Sequence, residues 1–154
     1  MEPFAGYKLH QLGGSMKKDI NSIILTRQEL QIMKVIWRLG TATVKDVCDI
    51  MSQTKAVAYT TILTLMGILE EKGALAHTRS GRAFLFRPIL SRRQATRNQM
   101  RDVIARFFDG KPERLMADVL ENEAMNPDQL ESVRILLDSR QEHLVALRKS
   151  IEAA

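Results

Sequence analysis

The stretch Ala58-Tyr59-Thr60-Thr61-Ile62-Leu63-Thr64-Leu65-Met66-Gly67-Ile68-Leu69-Glu70-Glu71-Lys72-Gly73 decides the fold, together with Leu75-Ala76-His77-Thr78-Arg79 and Arg82-Ala83-Phe84-Leu85-Phe86-Arg87 just after it. Wound as a helix, Ile62, Leu65, Met66 and Leu69 share one apolar face. The pattern predicts a helix from about Val57 to Lys72, stopped by Gly73. The two segments that follow are short, rich in strand formers and separated by Ser80-Gly81, so they predict a β-hairpin that ends at Pro88. A hairpin placed directly after such a helix is a wing.

Working upstream, two more helices precede it. Thr26-Arg27-Gln28-Glu29 has the spacing of a capping box, in which hydroxyl and carboxylate reciprocally satisfy free N–H groups. Leu30, Met33, Ile36 and Trp37 then recur at helical spacing and Gly40 closes the segment. Thr43-Val44-Lys45-Asp46 is a second capped start, followed by Val44, Val47, Ile50 and Met51 on a short amphipathic helix. Three helices on short connections and a wing predict a winged helix-turn-helix in a mainly α chain with one small β-hairpin. Residues 25–90 are expected to form this winged-helix domain. Residues 1–24 show no apolar period and read as a flexible arm or an appended leader.

Downstream, residues 91–154 read as a helical region with breaks at Asp109-Gly110 and Asn126-Pro127. Asn126 caps, Pro127 suits the first helical position and Gln129 completes a box. Leu130, Val133, Leu137, Leu144, Leu147 and Ile151 follow at steps of three and four, with Arg140 interrupting. Such a seam must be covered, either by a second copy in a homodimer or by residues 92–108 or 112–120 of the same chain.

The outward face of the third helix carries Thr60, Thr64, Gly67 and Glu71, flanked by Thr61 and Leu63. Its hydroxyls suit phosphates or base edges in a major groove, and threonine methyls suit thymine methyls. An ordinary exposed helix face is the plain alternative, but threonine is a middling helix former and packing gives no reason for three of them. Tyr59, at the edge of the apolar arc, either packs its ring or offers its hydroxyl to a phosphate. Charge points the same way. The net charge of +5 is uneven: residues 1–110 hold 17 Lys/Arg against 9 Asp/Glu, and residues 111–154 hold 6 against 9. Between Ala76 and Arg106, eight arginines, Arg79 and Arg82 of the hairpin among them, face the single acid Asp102. A patch that basic suits double-stranded DNA.

Other classes find little support. No apolar run approaches a membrane span and no secretory signal is visible, so a cytoplasmic location is expected. The lone Cys48 makes neither a disulfide nor a zinc site. His10, His77 and His143 are scattered, and no HExxH motif, phosphate-binding glycine loop or nucleophile elbow organises them. No enzymatic activity, cofactor or metal is expected. A winged helix that binds protein without specific DNA binding is the alternative reading.

The string Ala58 to Thr64 leading to Glu70-Glu71-Lys72-Gly73, then Ser80-Gly81-Arg82-Ala83 before Phe84-Leu85-Phe86 and Pro88, resembles the penicillinase-repressor family of bacterial regulators, the BlaI/MecI/CopY type. Leu25-Thr26, Glu29-Leu30 and Met33 to Trp37 resemble its opening helix, and Phe107-Phe108-Asp109-Gly110 its junction to the dimerisation part. The likeness covers about Leu25 to Arg140. It implies a winged-helix N-terminal domain, a three-helix dimerisation region, and repression through an inverted-repeat operator. Gly67 and Ile68 depart from the arginine or polar residue of many relatives, and the paired Cys-x-Cys motifs of the copper-sensing branch are absent. Some members are inactivated by a sensor-linked protease that cuts the helix joining the two halves. The matching region here is Ile104 to Phe108, centred on Ala105, Arg106 and Phe107.

Overall fold

The computed structural model describes residues 19–154; residues 1–18, which hold most of the expected arm as well as His10, lie outside the described residues. The elements run α1 (Arg27–Leu39), α2 (Val44–Met51), α3 (Tyr59–Glu71), β1 (Leu75–Ser80), β2 (Ala83–Pro88), α4 (Arg92–Phe107), α5 (Pro112–Asn122) and α6 (Pro127–Glu152), after a short 3₁₀ turn at Ile20–Ser22. They divide into two compact units, one ending at Arg106 and one beginning at Phe107.

In the first unit, local chemistry sets the helix starts. Both halves of the Thr26/Glu29 capping box are present, and so are both halves of the Thr43/Asp46 box. The Thr43 amide and hydroxyl bonded to Asp46 hold its carboxyl below the usual aspartate range. Gly40 leaves α1 at φ 80°, which relieves the penalty any other residue would carry there. Ser91 and Gln94 cap α4 in the same reciprocal way, the Ser91 amide donating to Gln94 Oε1 at 3.0 Å and the Gln94 amide to Ser91 Oγ at 3.2 Å.

The core of this unit is built from α1, α2, α3 and the hairpin: Ile32, Met33 and Ile36 meet Val47, Ile62, Met66 and Leu69, with Phe86 and Leu90 closing the other side. The two strands pair antiparallel from Leu75–Pro88 to Ser80–Ala83, leaving Gly81-Arg82 as a two-residue turn. Gly81 takes φ 63° and Arg82 does not have positive φ, the signs of a type II′ turn. Ala42, between α1 and α2, pairs with Phe86 through two 2.9 Å bonds, so the hairpin is anchored to the helices by a short third edge.

Among the described residues, two polar side chains are buried in this unit. Glu29, 3% exposed, accepts from Lys72 Nζ at 2.8 and 3.0 Å, and Lys72 also donates to the Ile24 carbonyl. Asn98 of α4, 2% exposed, donates its amide to the carbonyls of Ile20 and Ile23. Residues 20–24, read from sequence as the end of an arm, are therefore held against α4, and Ile23 is buried in the core. Trp37 Nε1 donates to the Leu90 carbonyl at 2.8 Å, fixing α1 to the segment before α4.

The second unit holds α5 and α6. Asn126 and Gln129 form a further complete capping box, with Pro127 at the first helical position. At 1.5 Å per residue, the 26 residues of α6 reach roughly 39 Å. Neither α5 nor α6 has a buried residue.

Candidate nucleic-acid interface

The helix α3 is amphipathic across its short axis. Ile62, Met66 and Leu69 are fully buried, whereas Tyr59, Thr60, Thr61, Thr64, Gly67, Ile68 and Glu71 are exposed. The helix starts at Tyr59, two residues later than the apolar pattern predicts. Ala58 gives it no side-chain cap, and the Thr61 and Ile62 amides both donate to the Ala58 carbonyl, at 3.0 and 3.2 Å. The Thr64 hydroxyl donates back to the Thr60 carbonyl at 2.9 Å. The sequence offers both the hydroxyl and the methyl of this threonine to DNA; the hydroxyl's hydrogen is used within the helix.

The far end of α3 is tied down twice. Glu70 Oε1 accepts from the His77 backbone amide and contacts its ring nitrogen, joining the last turn of α3 to β1. Lys72, just past α3, joins it to Glu29 of α1. These ties fix where the hairpin leaves the helix. Neither was visible from sequence, because each pairs residues whose separation no period marks.

The hairpin carries Arg79 and Arg82, both exposed. Arg79 Nε donates to the Gly81 carbonyl at 3.3 Å, bracing the turn, and Arg82 occupies the turn itself. Tyr59, Thr60, Thr61 and Thr64 thus share one surface of α3, and the two arginines cluster at the tip of the hairpin that follows it. Farther along, Arg92, Arg93, Arg97 and Arg101 are exposed on α4.

Of the seam residues in α6, Leu130, Leu137, Leu144, Leu147 and Ile151 are exposed and Val133 is half-buried. Sequence reasoning missed that Ile135, Leu136 and Val145 are exposed on the same helix, and Met116, Val119 and Leu120 on α5. A seam of threes and fours selects one edge of a helix and passes over the apolar residues beside it. Among the described residues, no helix is long and apolar enough to cross a membrane.

Comparison with known proteins places this arrangement. Residues 25–139 match the family model of the penicillinase repressor, which spans the winged helix and most of the helices after it. The chain belongs to the penicillinase repressor family. The penicillinase repressor of Bacillus licheniformis is 27% identical over 110 residues, 71% of this chain and 86% of that protein. The DNA-binding domain of the repressor BlaI, solved in solution, is 34% identical, with 50% of this chain and 92% of that one covered at a TM-score of 0.44. Monomeric Bacillus licheniformis BlaI, solved in complex with the blaP half-operator, is 32% identical over 47% of this chain and 89% of that one, at a TM-score of 0.42. Family membership makes this chain a winged-helix DNA-binding repressor.

Proposed function

We propose that the chain represses transcription as a homodimer on an inverted repeat, in the cytoplasm, with α3 of each copy in a major groove and each Gly81-Arg82 turn against the DNA backbone. The observation that carries this reading is the second unit. It holds two helices and buries none of their residues, and α6 alone exposes eight large apolar side chains, from Leu130 to Ile151. Isolated helices gain most of their stability from packing an apolar face, so this surface calls for a partner. A second copy supplies the same surface in reverse, and a two-fold pair of winged helices matches two inverted half-sites.

The interface residues are Leu130, Val133, Leu137, Leu144, Leu147 and Ile151. Leu137→Asp places a charge in the seam that has no partner there, which is strongly unfavourable when buried. Sedimentation is expected to show wild type as a dimer at low micromolar concentration and this variant as a monomer. A dimer in both cases would assign the interface elsewhere.

Release from DNA follows the same logic. The boundary between the two units falls at Arg106/Phe107, within the region Ala105, Arg106 and Phe107, and Phe107 is 69% exposed. A sensor-linked protease cutting here would leave each winged helix folded but detached from its dimer. Linkage of two half-site contacts raises apparent affinity by roughly 10²–10⁴. A chain ending at Arg106 is expected to stay helical and lose most of its affinity for the inverted repeat. Full affinity in that chain would contradict release by cleavage.

A further inference from the structure

Gly67 stands mid-way along α3 on its exposed side, with ordinary helical φ. A Cβ added there would meet nothing within 4 Å. Glycine is among the least favourable residues for a helix interior, and nothing among the described residues asks for it. One turn earlier, Thr64 donates its hydroxyl hydrogen to the Thr60 carbonyl at 2.9 Å, and its side chain is exposed. Ile68, one turn after Thr64 and next to Gly67, is 36% exposed. Residues three and four apart share a helix face, so Thr64, Gly67 and Ile68 form one shallow patch. It offers methyl groups and, with the Thr64 hydrogen given to Thr60, no side-chain donor.

We infer that this patch is a specificity element that reads thymine through its C5-methyl group. The inference rests on the reading that α3 enters a major groove. Guanine, adenine and cytosine present donors and acceptors there, and thymine adds the apolar group that edge bonding cannot read. Thr64 and Ile68 supply the apolar contact. Gly67 lets the helix backbone come close enough for them to make it.

The test uses the full chain and a duplex selected by it from a randomised library. Each thymine of the selected half-site is replaced in turn by deoxyuridine, which removes only the methyl. Burial of one methyl predicts a loss of about fourfold in affinity at one or two positions per half-site. Thr64→Ser keeps the hydroxyl and drops the methyl, so it is expected to lose a similar factor on the thymine duplex and nothing further on the uridine duplex. Gly67→Ala is expected to melt at a higher temperature than wild type, yet to bind the selected duplex at least about tenfold more weakly, because the added methyl overpacks the contact. Its binding to random duplex should be unchanged. If the chain selects a sequence but tolerates uridine at every thymine, the patch does not read methyls, while the docking of α3 stands. If no sequence is selected, and Thr60→Ala binds as wild type does, the docking of α3 fails and the inference with it.

Discussion

A single carboxylate oxygen, Glu70 Oε1, lies 2.6 Å from Nδ1 of the His77 ring and 3.1 Å from the His77 backbone nitrogen. An ionised carboxylate only accepts, so Nδ1 carries a hydrogen. The ring also stands edge-on to Phe84 at 4.6 Å and tilted to Phe86 at 5.4 Å. The end of α3 and the start of the wing are joined by one residue pair. His77→Phe keeps the aromatic packing and removes the ring's hydrogen bond. It is expected to lower unfolding free energy by about 1 kcal/mol, read from urea melts. Operator and random DNA should be bound more weakly by similar factors, since the altered part is the hairpin and not the reading face. Unchanged stability would show that the ring contact contributes nothing.

Glu29 serves two partners at once, closing the Thr26 box and pairing with Lys72 across the core edge. Removing Lys72 leaves the Glu29 carboxylate buried without its partner, and removing the Glu29 charge leaves the Lys72 ammonium half-buried; breaking a buried pair costs about 3–5 kcal/mol. Glu29→Gln and Lys72→Met are each expected to destabilise the fold. The double variant should lose less than the sum, because it leaves no orphaned charge. Additive losses in denaturant unfolding would mean that the two residues are not coupled.

Acid stability carries a smaller signature. Asp46 is held below its usual range by the Thr43 amide and hydroxyl. A group whose folded pKa is depressed contributes stability above its unfolded value, near pH 4, and that contribution is lost as pH falls through the lower folded value. The effect is reduced by solvent screening, since Asp46 is exposed. Melting temperatures of wild type and Asp46→Asn should differ most near neutrality and converge below about pH 4. A gap that persists at pH 2 would place its cause outside this carboxyl.

What could be read from the sequence was local. The boxes at Thr26/Glu29, Thr43/Asp46 and Asn126/Gln129 lie within four residues each, and all three are present. The Ser91/Gln94 pair has the same spacing and was passed over. Long-range polar pairs left no trace in the pattern: Asn98 looks like an exposed amide in a basic helix, yet it is buried and holds carbonyls 75 and 78 residues away. That contact joins α4 to the first compact unit, which ends at Arg106. The Ala42–Phe86 bridge is one residue pair, too short for alternation to reveal. On the reading face, spacing identified the exposed residues but could not say which way the Thr64 hydroxyl turns.

The reading helix and the wing are expected to fail differently. With α3 docked as proposed, Thr60→Ala should reduce discrimination between selected and random duplexes, because Thr60 would then lie toward the bases. Arg82→Ala should weaken both and make the salt dependence shallower by about one unit, as expected for one lost phosphate contact. An unchanged salt slope in Arg82→Ala would take the hairpin tip off the backbone.

The pairing of two copies on two half-sites is tested most directly by the stoichiometry of the complex in sedimentation velocity. The measurement uses a duplex carrying the selected inverted repeat, alongside a duplex carrying a single half-site. Two chains are expected on the inverted repeat, with affinity for the single half-site lower by roughly 10²–10⁴. One chain per inverted repeat, or equal affinity for the two duplexes, would contradict it.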